Sequence, residues 1–171
     1  MSKSQNKDLL KFLKAFPKEQ QQRALWVRDF AWDLYPTANE LIYDNYNALA
    51  FGWSITDRVG HLFCSIAVGR TSGKVHFGFY YGSSIKDPEK MLLGKGNQYR
   101  YILVNDVKAF PSIYMKKLMA EAYKVSAAKV KDKSQLMESK TITKSISASK
   151  RTTSNIKSKT KAKSKKIKSK Q

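Results

Sequence analysis

The chain has 171 residues, with 33 Lys and Arg against 13 Asp and Glu, a formal charge of +20. Its single cysteine excludes an intrachain disulfide, and no apolar run approaches the ~18 residues a membrane helix needs. The N-terminus is polar and lacks an apolar leader core, so the expectation is a soluble, cytoplasmic protein.

The charge is uneven. Fifteen of the basic residues lie at or after Ser126, against two acids there, Asp132 and Glu138. The part upstream is moderately basic and long enough for one domain with one core.

In chain order, Asp8 can cap a short helix carrying Leu9, Leu10, Phe12, Leu13 and Phe16. Pro17 separates it from a long amphipathic helix over Lys18–Tyr35, which Pro36 stops. Thr37-Ala-Asn-Glu40 matches a capping box and predicts a third, short helix through Asp44.

Asn47 to Val104 then holds the strand signals. Leu49, Phe51, Trp53 and Ile55 share one parity. In the next run Leu62, Cys64, Ile66 and Val68 share one. In Lys74–Tyr81 it is Val75, Phe77, Phe79 and Tyr81. Gly69–Gly73 joins the last two runs as a hairpin. Asp87-Pro88 predicts one or two helical turns through Leu93, Gly94-Lys-Gly96 a turn, and Tyr99–Val104 a fourth strand. Pro111 opens a last helix whose Met115, Leu118, Met119 and Ala122 face the sheet.

Beyond about Lys131 the apolar rhythm fades into Lys, Ser and Thr, too few apolar groups to offset chain entropy. The expected architecture is α+β: an antiparallel sheet of about four to five strands flanked by N-terminal helices and a C-terminal helix. Residues 1–130 form the domain and 131–171 a disordered polybasic tail.

Candidate chemistry is sparse. Gly69–Lys74 is one residue short of a phosphate-binding loop and leads into a strand, so the hairpin reading is preferred. His61, Cys64 and His76 are too few for a zinc site, and Cys64 shares a face with Leu62 and Ile66 as a buried thiol. No metal ligand set or cofactor site is expected. Asp29 and Asp33, and Glu40 and Asp44, stand four apart, a spacing suited to a hard cation but more often a solvated face or a cap. No Ser–His–Asp or Cys–His arrangement is recognisable, and two histidines leave few groups for acid–base catalysis, so the reading leans away from an enzyme.

Two features point to anions. Gly94–Arg100 combines glycines, which let a ligand approach the backbone, with Lys95, Gln98 and Arg100 as donors. Together with Tyr43, Asn45 and Asn47 these are the candidate binding residues for a small polar or anionic ligand. The tail carries Lys157, Lys159, Lys161, Lys163, Lys165, Lys166, Lys168 and Lys170. On binding nucleic acid or another polyanion they would release counterions and give affinity without sequence preference. The tail has no aromatic residue to stack bases.

Three runs, Glu40–Gly52, Phe63–Ala67 and Asp87–Arg100, resemble the YdhG-like family, a bacterial domain family largely of unknown function. The resemblance spans about residues 20–127. Its most specific part is Asp-Pro followed by Leu-x-Gly-x-Gly-x-Gln-x-Arg, here ending at Arg100. It implies a small α+β fold with an antiparallel sheet. One branch of the family is described as frataxin-like, delivering iron for iron–sulfur cluster assembly. That role would fall here to Asp29, Asp33, Glu40 and Asp44, in a front domain that is net basic. The leading expectation is a non-enzymatic YdhG-like binding domain with a polyanion-binding tail.

Overall fold

The structure, a computed structural model, describes residues 6–132 and 138–152. Helix α1 (Lys7–Leu13) is capped by Asn6, whose Oδ1 accepts from the Asp8 and Leu9 N–H groups at 3.0 and 3.1 Å. Asp8, expected as the cap, sits inside the first turn, where a carboxylate suits the helix dipole. Pro17 precedes α2 (Lys18–Leu34), where its missing N–H costs nothing.

Six strands follow: β1 (Asn39–Asp44), β2 (Ala48–Ser54), β3 (Leu62–Gly69), β4 (Val75–Phe79), β5 (Arg100–Leu103) and β6 (Thr141–Ile146). Helix α3 (Ser112–Ala127) lies between β5 and β6. The sheet order is β5-β4-β3-β2-β1-β6. β1 to β5 form an antiparallel meander, while β6 runs parallel to β1. Links of three to seven residues join the first four strands and a 20-residue loop joins β4 to β5, whereas reaching β6 on the far side of the sheet takes the long crossover that contains α3. Gly73, at φ +65°, turns the β3–β4 hairpin.

The fold is the expected α+β class, with three corrections. The capping-box segment is not helical: Asn39–Asp44 is strand β1. Leu41, Ile42 and Tyr43 are branched or aromatic residues suited to a pleated surface. Glu40 does not reach back to a helix end, because its carboxylate is held by Arg28, from Nε at 2.7 Å and Nη2 at 2.8 Å.

Second, no helix forms at Asp87–Leu93. Asp87 instead accepts from the Met91 and Leu92 N–H groups at 3.2 and 2.9 Å, making a side-chain-closed loop. Leu93 then pairs with Tyr101 as an isolated bridge outside β5.

Third, the domain does not end at residue 130. Thr141–Ile146 is an edge strand, and Ser139 and Lys140 are also held: Ser139 donates its N–H to Thr37, and the Glu138 and Lys140 N–H groups reach Asn39 Oδ1. So Thr141–Ile146, inside the expected disordered tail, belongs to the sheet. The signal was Thr-Ile-Thr, a short β-branched run overlooked inside a Lys/Ser-rich background. The eight tail lysines from Lys157 to Lys170 lie outside the described residues.

The core lies on one face of the sheet. Phe51, Trp53, Cys64, Ile66, Phe77 and Phe79 point there, and α1, α2 and α3 pack on them as one cluster. Trp32 meets Trp53 edge to face at 5.7 Å, Phe30 meets Phe77 at 6.3 Å, and Tyr123 meets Phe63 at 5.5 Å. Among the described residues no helix is long and apolar enough to cross a membrane.

Candidate functional site

The sequence-predicted ligand residues fall into two groups at opposite corners of the sheet. Tyr43, Asn45 and Asn47 belong to β1 and its turn into β2. Lys95 and Gln98 belong to the loop entering β5 and Arg100 opens that strand, at the sheet edge remote from β1. Four strand spacings, about 19 Å, separate β5 from β1. The corners also lie at opposite strand ends, since Arg100 pairs with Phe79 at the end of β4 remote from the β3–β4 turn. The structure therefore does not bring the six residues into one site.

Within the β5 corner, Lys95 and Gln98 are exposed. Arg100 is turned back on its own loop, where Nη1 donates to the Gly96 carbonyl at 2.5 Å and to the Tyr99 carbonyl at 2.9 Å. Its role is loop closure, which competes with capture of a free anion. Two grooves elsewhere hold about 480 and 390 Å³, one lined by Phe110, Ile113 and Tyr114 and one by Trp26, Asp106 and Val107. Neither includes any of the six residues.

The β1–β2 corner is where the C-terminal chain is tied down. Asp44 is buried and forms ion pairs with Arg70 and with Lys150, the latter at 2.7 Å. Arg70 Nε also donates to the Asn45 carbonyl at 2.9 Å, fixing the β3–β4 hairpin to the β1–β2 turn. Ser145 Oγ donates to Asn45 Oδ1 at 2.9 Å, and the Arg151 N–H reaches the Tyr46 carbonyl at 2.9 Å. Arg151 Nη1 lies 3.3 Å from Asn47 Oδ1. Asn45 and Asn47 thus hold the chain's own basic segment. Sequence reasoning chose these asparagines but missed Arg70 and Lys150, because each lies at least 25 residues along the chain from the groups it meets here.

The acidic set considered for iron is engaged otherwise. Glu40 is buried against Arg28 and also accepts from Thr141 Oγ1 at 3.0 Å. Asp44 holds two cations, as above. Among the described residues no cluster of three or more His, Cys, Asp or Glu side chains could hold a metal. Cys64 is fully buried on the core face, and burial pushes its thiol well above the usual range, outweighing an opposing backbone hydrogen bond at Trp53. His61 Nδ1 lies 2.7 Å from Thr56 Oγ1, and His76 stacks on Tyr101.

His76 draws attention to the sheet face opposite the helices. Cross-strand register places Tyr101, Gly78, Ser65, Gly52 and Leu41 in one row there. Leu103, His76, Ala67, Ala50 and Tyr43 form the next. The middle strands thus contribute small side chains, with rings toward both sides. His76 and Tyr101 are parallel at 4.1 Å and 3°, and Tyr101 stacks in turn with Tyr99 at 5.8 Å and 20°.

Tyr99 lies across Gly78. A Cβ on Gly78 would come within 2.3 Å of its hydroxyl. Burial pushes the Tyr99 phenol up to about 12; the Ser65 hydroxyl is near enough to oppose the shift but does not sit in hydrogen-bonding geometry. Burial, then Tyr80 and Asp57, likewise raise the Tyr43 phenol. Around this face stand Lys74, whose charge is felt by His76, and Lys144, 3.7 Å from Asp57.

No protein-family model, curated protein or solved structure matches the chain.

Proposed function

We propose that this protein is a non-enzymatic polyanion-binding module: a YdhG-like α+β domain that presents a basic C-terminal arm to nucleic acid. The observation that carries the reading is the tethering of that arm. β6, Lys150 and Arg151 are fastened to β1 and its turn, so the eight lysines after Thr152 begin from a defined corner of a basic domain. No acidic residue accompanies them in that stretch. An arm starting beside Arg70 extends the domain's own positive surface, and such a charge distribution attracts phosphate backbones at long range.

The separation of Lys95, Gln98 and Arg100 from Tyr43, Asn45 and Asn47 argues against a shared small-ligand pocket, which is why the polyanion reading leads.

The test is a mobility shift of the full chain and of a chain ending at Thr152, on a DNA duplex at several salt concentrations. If all eight lysines meet phosphates, the log–log salt slope of the full chain is about −7, and the shortened chain loses most of it. Equal slopes for the two chains would remove the arm as a nucleic-acid element.

A further inference from the structure

We infer that the helix-free face of the sheet is a stacking platform for single-stranded nucleic acid, with bases lying over Ala67 and Ala50 between His76 and Tyr43, and phosphates met by Lys74 and Lys144. The inference rests on the polyanion reading and adds to it a preference for single strands.

Three observations converge. The first is the ring array. Tyr99, Tyr101 and His76 stack in series, and the series ends at His76 beside Ala67. A base can extend such a series because every base has a π-face of its own, whatever its sequence.

The second is the floor. Across from His76 the register runs Ala67, Ala50, Tyr43, so two methyl groups separate two rings about 14 Å apart. All four residues are only part-buried. The neighbouring row is also low in the middle. Gly52 cannot carry even a Cβ, which would sit 2.5 Å from the Cys64 carbonyl oxygen. Large apolar side chains of the kind that anchor protein partners are missing from these two middle strands on this face.

The third is charge. Lys74 stands next to His76 on the same parity, and Lys144 flanks Tyr43 on β6. Asp57 is the carboxylate that faces Lys144 and Tyr43. The arm leaves from Arg151 at the turn end of the same strands. Phosphates and bases are thus met on adjoining surfaces. A duplex, whose bases are already stacked on one another, can use the charges but not the rings. That difference separates this inference from simple charge attraction.

The experiment uses the full chain, a fluorescein-labelled oligothymidylate and a mixed-sequence DNA duplex, with anisotropy read at low and high salt. His76→Ala is expected to weaken single-strand binding about tenfold, the usual scale for one lost stacking ring, and to leave duplex binding unchanged, while Ala50→Glu, which blocks the floor and also adds a negative charge, is expected to weaken single-strand binding more than duplex binding. Ending the chain at Thr152 should weaken both probes together. Unchanged single-strand affinity in both variants overturns the platform, while the polyanion reading survives if the shortened chain still binds less. If the full chain binds neither probe, both readings fall.

Circular dichroism checks that each variant is folded. Should Ala50→Glu fail that check, photo-cross-linking of a thiothymidine-substituted strand decides. Adducts in Val75–Phe79 or Arg100–Leu103 support the platform, and adducts confined to residues after Thr152 overturn it.

Discussion

The two faces of the sheet use alternate residues of the same strands for opposite ends. On the helix side, β2 presents Leu49, Phe51 and Trp53, all fully buried; on the other side, it presents Ala48, Ala50 and Gly52. β3 repeats the contrast with Ile66 and Val68 against Ser65 and Ala67, and β4 with Phe77 and Phe79 against His76 and Gly78. Period-two alternation usually separates buried from solvated side chains. Here the second face is flat and aromatic at its sides rather than polar. Most of the large buried side chains lie on the helix face, while the other face buries Leu41 and covers Gly78 with Tyr99 beside its small residues.

The largest effect should come from the helix side. Glu40 and Arg28 are sealed between α2 and β1, at 0% and 2% side-chain exposure, and joined by two hydrogen bonds. Glu40→Ala strands a buried guanidinium and should lower unfolding free energy by about 3–5 kcal/mol, read from urea denaturation. By contrast Ala67→Ser, on the opposite face, should stay within about 0.5 kcal/mol. Comparable losses from both would break the contrast between the faces.

The next effect tests why the second face is flat. Gly52→Ala places a methyl 2.5 Å from the Cys64 carbonyl oxygen and 2.7 Å from Ser65 Cβ. Backbone cannot swing away as a flexible side-chain tip can, so β2 and β3 must part locally. A cost of about 1–3 kcal/mol is expected, against a gain for an unhindered Gly→Ala change. A stabilised Gly52→Ala variant would show that the flatness is not enforced by close strand approach.

Much of this contrast was readable in the residue order, because parity alone assigns Phe51, Ile66 and Phe77 to one face. The long helix α2 and the last helix α3 also followed from their apolar spacing. What escaped were features decided by partners distant in sequence. Glu40 matched a helix-start pattern, and its true partner, Arg28, is reached only once α2 packs on β1. Thr141–Ile146 was hidden by its lysine-rich surroundings. Its strand character needs the exposed edge of β1, which no local pattern reveals. The candidate ligand site failed as a single site for the same reason. Its two halves look complementary along the chain, but sheet order places them at opposite corners. The stacked rings Tyr99, Tyr101 and His76 could have been suspected from Tyr-Arg-Tyr facing a histidine-bearing strand, but their overlap depends on register.

The smallest effect sharpens the comparison through pH. Burial first, then the charge of Lys74, lowers the His76 pKa below its ordinary value of 6.5. The unfolded chain therefore takes up this proton before the folded one does. The contribution of neutral His76 to stability is complete above about pH 6.5 and is lost as pH falls through the lower folded value. Because the ring is half-buried, solvent screening keeps the effect to a fraction of what a core group would show. Asp87 supplies a control in a separate window. Burial works against its carboxylate, but the Tyr114 hydroxyl and the Leu92 and Met91 N–H groups outweigh it, so its pKa sits below 3.8. Its contribution is present above that value and disappears in stronger acid. Melting temperature followed from pH 8 to pH 3 should therefore show a shallow fall near neutrality that His76→Gln abolishes and Asp87→Asn leaves in place. A fall that survives His76→Gln would mean that the ring stacked on Tyr101 is solvated as an ordinary surface histidine, and the helix-free face would lose the partly dehydrated character that base stacking requires.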